Sequence, residues 1–210
     1  MARTGFLLLL LLLLGAPALP VRAQEQAEHP CYDIAVVASL AKSTYAQLPE
    51  EPGYINMDVQ WFHDVVVQQL LVGHEPRQHL QLMGVAHTGF NPRIEHFLFY
   101  LKRAKDRYEI VGMDYRIVED KRGRLVLLLD QPTHSAGWFA PDPKLIKPVY
   151  YRPDDAWWLI EPKDVDPQPI NPAWARRKER TVIALRGIVL DDLARSLRAR
   201  PTDRCVQHDR

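Results

Sequence analysis

Five histidines, His63, His74, His79, His87 and His96, fall within thirty-four residues of a 210-residue chain. Imidazole is a common zinc ligand and titrates near neutral pH, so such a run invites a metal-site reading. The spacing does not supply a ready-made centre. There is no His-Glu-x-x-His pair, and the intervals between neighbours match no familiar ligand pattern. A folded sheet can still bring distant side chains together, which leaves His63 and His96 as the candidate metal ligands against the plainer reading of surface or satisfied core histidines. Asp130, His134 and Ser135 provide the residue types of a hydrolytic triad. Triads draw their members from separate elements, however, and no Gly-x-Ser-x-Gly elbow is present. The carboxylate pairs Asp154-Asp155 and Asp191-Asp192 fit a turn and a helix start, because acid–base catalysis needs two groups facing each other across a cleft. Trp138, Trp157 and Trp158, with Phe139, Tyr150 and Tyr151 around them, have the area either to seal a joint in the core or to form a stacking platform. The three tryptophans are the candidate binding surface. No cofactor is expected.

The elements that must position these residues read mostly as strands. Tyr54–Val72 has apolar residues at most odd positions and polar ones at most even positions, and its run of three valines favours a pleated surface over a helix. A strand of this length is expected to bend across two parts of a small barrel. Ile34–Tyr45 reads as a strand, although its alanines also allow a helix. Gly73–Arg77 is the turn of a hairpin leading into His79–His87. Ile94–Leu101 is dense enough in apolar residues to be buried on both faces. Tyr108–Val118 is the next strand, with a bulge or sharp bend at Gly112, and a polar loop over 119–124 leads to Leu125–Asp130.

The texture then changes. Nine of the seventeen prolines lie between Pro132 and Pro172, which excludes a long helix there and predicts short extended pieces at Val149–Tyr151 and Trp157–Ile160 packed on the barrel. Thr181–Leu185 is either a strand or the end of a helix begun near Ala173. Asp191–Ala199 is the best helix, with Leu190, Leu193, Ala194 and Leu197 on one side, acids at its start and arginines towards its end.

The first twenty-three residues resemble an address. Arg3, an apolar core over 6–14 and a small-residue site ending at Ala23 form a secretory signal too short in its core to span a bilayer. Removing it takes two of the 27 basic residues and none of the 26 acidic ones, leaving a chain close to neutral. A nucleic-acid partner is therefore not expected. Cys31 and Cys205 are the only cysteines and are expected to pair in an oxidising compartment, the bacterial periplasm or the outside of a cell. Residues 173–210 carry a local basic excess, which fits a solvated face or weak attraction to an anionic membrane surface.

From Cys31 to about Val118, the order of a strand with Asp33-Ile34-Ala35-Val36-Val37-Ala38, a strand ending Val65–Gly73, and a later strand His96–Leu101 is similar to the netrin-like modules, which include the tissue inhibitors of metalloproteinases. That resemblance implies a five-stranded Greek-key barrel of the OB type. Those inhibitors carry several disulfides and begin on the cysteine that meets the enzyme's zinc, whereas cleavage here would leave Gln24 first. No inhibitory residue is carried over.

The expected architecture is mainly β, α+β overall: a signal over 1–23, a five- to six-stranded OB-like barrel over 24–131, a Pro/Trp-rich wrap over 132–172 and a basic helical segment over 173–210. The expected function is an exported, non-enzymatic module that binds another protein or an extracytoplasmic ligand. The alternative is a small secreted hydrolase using the histidines as metal ligands.

Overall fold

A computed structural model describes residues 31–49, 53, 57–130, 142–161, 163, 166–167, 169–200 and 204–205. Its first half is a closed barrel of β1 (Ile34–Gln47), β2 (Val59–Val72), β3 (His79–Ala86), β4 (Phe97–Arg103) and β5 (Tyr108–Asp114), in the spatial order β1-β2-β3-β5-β4. All neighbours are antiparallel except β3 and β5, whose short parallel pairing of Leu82 with Tyr108 and Met83 with Glu109 closes the cylinder. This is an OB-like arrangement.

Both long strands form, β1 over the stretch whose alanines also allowed a helix and β2 within the stretch of period two, although β2 begins only at Val59. Each must curve to serve two sides of the barrel, and three register irregularities along the β1–β2 pairing provide the curvature. The bulge expected at Gly112 is present: Tyr100 pairs with Gly112 and Leu101 with Ile110, leaving Val111 as the extra residue. Alternation then sorts the side chains. Ile34, Val36 and Ala38 of β1 point inward to join Val65, Leu80, Leu82, Phe97, Phe99, Leu101 and Tyr108 in the barrel core. Ala35 and Val37 point outward yet are equally buried, because a second layer covers that face.

That layer begins where the predicted strand over 108–118 breaks. After Asp114 the chain leaves the barrel, and β6 (Ile117–Glu119) and β7 (Leu125–Leu129) join β11 (Arg186–Val189) and β8 (Lys147–Pro148) in a separate sheet of order β6-β7-β11-β8. The departure is held by Arg116, only 6% exposed, whose guanidinium bonds Asp114 and lies 3.5 Å from Asp130. Ile117, Leu127, Leu129 and Ile188 face the barrel, together with Leu190, Leu193, Ala194 and Leu197 of helix α1 (Leu190–Arg198). The helix buries the expected side, with Asp191 and Asp192 in its first turn and Arg195 and Arg198 in its last.

In the second half one expectation is corrected and one open alternative is decided. Trp157, Trp158 and Leu159 lie in a 3-10 segment, Pro153–Leu159, not in an extended piece; Pro153 at its start has the φ such a turn needs, and Asp154 and Asp155 follow in the first turn. The segment before α1 is not helical. It is a hairpin of β9 (Ala175–Lys178) and β10 (Thr181–Ala184), turned at Glu179 with φ 55°, followed by β11. The β-branched Thr181, Val182 and Ile183 suit the pleated form. Val118, Val126, Leu128, Tyr151, Ala156, Ile183 and Ala184 make a third core on the sheet's far side.

Cys31 and Cys205 are bonded, with Cα atoms 4.8 Å apart and 174 positions between them in sequence. The Cys205 N–H also donates to the Tyr32 carbonyl, at 3.0 Å, so both ends of the described chain meet at one end of the barrel. A disulfide of this kind fits an extracellular or periplasmic protein. Among the described residues no helix is long and apolar enough to cross a membrane.

Candidate binding sites at the two ends of the barrel

Strand directions give the barrel two chemically different ends. The start of β1, the end of β2, the start of β3, the end of β4 and the start of β5 lie together at one, and their opposite termini at the other.

The first end is basic. Glu75, in the β2–β3 turn, has a side chain only 2% exposed, paired with the Arg77 guanidinium at 2.8 Å, accepting the Tyr108 hydroxyl, and 3.6 Å from Arg103. The Arg77 hydrogen bond outweighs the cost of burial and holds the Glu75 carboxyl down at about 2, while burial and the neighbouring Glu75 push the Tyr108 phenol up to about 12. Arg77 and Arg103 also lie over the Tyr108 ring. Beside this cluster a cleft of about 480 Å³ is lined by Asp33, Val72, Gly73, His74, Arg103, Arg198 and Arg204.

The second end is aromatic. Alternate positions of β2 place Trp61 and His63 on one face, and rings continue from Tyr45 through Trp61, His63 and Phe90 to Phe97 and Phe99, with neighbouring centroids 4.3 to 5.9 Å apart. The inner part of this ladder is core. Its outer part is open, with Tyr45 60% and Met57 67% exposed. Trp61 is oriented by donating its indole N–H to the Ala86 carbonyl at 3.2 Å. Here β1 also loses a neighbour: it pairs with β4 only over Ile34–Ala38, so from Ser39 to Gln47 one edge carries no strand among the described residues.

The candidate metal ligands occupy separate surroundings. His63 is 2% exposed, stacked on Phe90, and its Nδ1 is 2.7 Å from Ser43 Oγ; burial lowers its pKa to about 4, so it is neutral at physiological pH. His96 Nδ1 is 2.8 Å from Gln68 Oε1, and burial lowers its pKa as well. Among the described residues, no three His, Cys, Asp or Glu side chains gather as a metal would require. The Ser43–His63 contact was not anticipated from the sequence. A serine hydrolase would need an orienting carboxylate on the imidazole and a base that can take a proton near neutrality. Among the described residues no carboxylate is bonded to this ring, and burial lowers its pKa to about 4.

The other expected groups are distributed as follows. Asp130 pairs with Arg116, whereas His134, Ser135 and Trp138 lie outside the described residues. Asp155 pairs with Arg152, and Asp191 accepts from Gln69 across to β2. Trp157 packs on the barrel core beneath the Arg93 guanidinium, 4.6 Å from its ring centre, and Trp158 bridges the barrel core and the far-side core. Several arginines of the basic 173–210 segment are engaged within the chain: Arg177 grips Glu161, and Arg180 and Arg186 donate to backbone carbonyls.

No protein-family model matches the chain, and neither the curated proteins nor the solved structures contain a match to it.

Proposed function

We propose that the protein is an exported, non-enzymatic binding module whose barrel receives an extended segment of a protein partner along the free edge of β1. The observation that carries this reading is the run from Ser39 to Gln47, where among the described residues no strand pairs with the backbone along one edge. Such an edge is a template for a further strand. Tyr45, Trp61 and Met57 beside it offer the aromatic and sulfur-bearing side chains that favour protein contact. Cleavage near Ala23 would deliver the domain to the compartment in which Cys31 and Cys205 pair. The strand order β1-β2-β3-β5-β4 is OB-like, the arrangement that a likeness of residues 31–118 to netrin-like modules implies.

The reading without chemistry rests on how the buried polar groups are used. Glu75 is held by Arg77, Tyr108 and Arg103, Arg116 by two aspartates, and His63 by Ser43 and the rings around it. Each is engaged in holding the fold.

A photo-crosslinking side chain placed at Tyr45, with a second placed at Tyr150 as an exposed control on the other half, tests the surface. Recurrent crosslinking to one protein from Tyr45 and not from Tyr150 is expected. Equal labelling from both positions would remove the edge from consideration, and labelling of Ser43 by a fluorophosphonate would restore the hydrolase reading.

A further inference from the structure

The cleft at the basic end is built from parts that meet only in the folded, oxidised protein. Arg103 is the last residue of β4, Arg198 the last of α1, and Arg204 adjoins the disulfide. Arg198 is oriented by donating its Nε–H to the Leu71 carbonyl at 2.9 Å, and Arg204 is fixed by the strand-like bridge between Tyr32 and Arg204. Asp33 is the one carboxylate among the described residues that lines the cleft, and it is already an acceptor for the Arg103 backbone N–H. Among the described residues neither Arg198 nor Arg204 has a carboxylate partner. Arg204 Nε is shielded from solvent and makes no hydrogen bond among the described residues. A buried donor without an acceptor is unfavourable, and an incoming acceptor relieves that cost.

Guanidinium groups match the spacing of oxyanion oxygens and donate in pairs, which a lysine ammonium does not. Three of them stand around one cleft, and although Arg103 also lies 3.6 Å from Glu75, Arg198 and Arg204 have no carboxylate partner among the described residues, so the set suits a compact, multiply charged anion. The space of about 480 Å³ exceeds what such a group fills by itself. It also runs into a neighbouring depression of about 410 Å³ that shares His74 and Arg103. In that depression Arg77 is paired with Glu75 and Arg107 with Asp106, while Arg103 and Lys105 leave its lining with a basic excess.

We infer that Arg103, Arg198 and Arg204 form a binding site for the charged head of a phosphate or sulfate monoester, with the polar remainder of the ester lying across His74 towards Arg77. This site is at the opposite end of the barrel from the free edge of β1 and stands independently of it. Because Arg204 is held beside Asp33 by the Cys31–Cys205 bond, an intact disulfide is a condition of full affinity.

The test is calorimetric titration of the oxidised mature protein with inorganic phosphate and with sulfate, at an ionic strength kept constant with chloride. Saturable binding at about 1 mM or tighter is expected. Arg204→Gln and Arg103→Gln should each weaken it about tenfold, the effect of losing one charge-assisted hydrogen bond. Arg122→Gln, an exposed arginine in the β6–β7 turn, should leave it unchanged. Melting curves confirm that each variant is folded, and two variants from different segments guard against one that is not. Glycerol phosphate and phosphatidylcholine vesicles containing phosphatidic acid then separate the sources. Binding to the soluble ester alone identifies a free metabolite or sugar ester, and binding to the vesicles as well identifies a lipid head group. Absence of saturable binding, or affinity unchanged in both Arg204→Gln and Arg103→Gln, overturns the site whatever crosslinking at Tyr45 shows.

Discussion

The two ends of this barrel solve opposite problems with the same five strands. At the end where Cys31 meets Cys205, charge is gathered and then constrained: a carboxylate is buried among arginines and a tyrosine, and the C-terminal part of the chain is tied across the opening. At the other end, rings are stacked inward from an exposed tyrosine, and one strand edge carries no neighbour among the described residues. The difference shows how one cylinder can offer two kinds of recognition. A closed, cross-linked end can keep guanidiniums at fixed separations, as an anion site needs, while an open ribbon can accept backbone and apolar contact.

Removing the disulfide should distinguish the ends most strongly. Closing a loop of this length restricts the unfolded chain by roughly 5 kcal/mol, so Cys31→Ser with Cys205→Ser should lower the stability measured by urea denaturation by about that much. In conditions where the reduced protein is still folded, phosphate binding should fall and crosslinking from Tyr45 should persist. Loss of both together would mean that the ends are not independent.

Glycine at the basic end should matter next. Gly73 sits at φ 89°, and a Cβ there would come 2.6 Å from the Asp33 carbonyl oxygen and the Ile34 side chain. Backbone cannot yield as a side chain can, so Gly73→Ala should cost about 3 kcal/mol in the same denaturation assay.

Acid should then separate the ends by pH. His63 is buried neutral, with a folded pKa near 4 against an unfolded value of 6.5, so the unfolded state binds the extra proton first. Its contribution to stability is complete above pH 6.5 and is lost as pH falls towards 4, by about 3 kcal/mol. Glu75 has its folded pKa near 2 against 4.5 unfolded. Its contribution is complete above pH 4.5 and is lost as pH falls towards 2, also by about 3 kcal/mol. Stability measured against pH should show both windows, with His63→Phe flattening the upper one and Glu75→Gln the lower one. A single window abolished by either substitution would show that the ends titrate as one unit.

The smallest effect belongs to Gly89. An added Cβ would meet the Trp61 ring at 2.5 Å, but that ring is partly exposed and can swing outward. Gly89→Ala should cost about 1 kcal/mol and shift Trp61 fluorescence, with phosphate binding unaffected.

Much of the barrel was legible because burial repeats along a strand. The alternation through Val59–Val72, the doubly buried Phe97–Leu101 and the bulge near Gly112 all leave marks in a single sequence. Helix α1 was legible for the same reason, its four buried residues recurring at helical spacing. The wrap was misread where proline was taken only as a sign of extension: Pro153 also starts a 3-10 turn, and the choice depends on what the following tryptophans pack against. Neither barrel end could be read locally. The ring ladder joins β1, β2 and β4 to the loop carrying Phe90, and the basic cleft joins β4, α1 and the residue before Cys205.

Periodicity, cysteine count and charge balance are properties of residue order, and they were enough to determine a mostly β, disulfide-bonded chain with one amphipathic helix. Which strands close the cylinder, where β1 loses its second neighbour, and that Arg103, Arg198 and Arg204 face one cleft were decided only by tertiary structure. Those relations depend on separations in space between residues as many as a hundred positions apart, and no local pattern of side chains encodes such a distance.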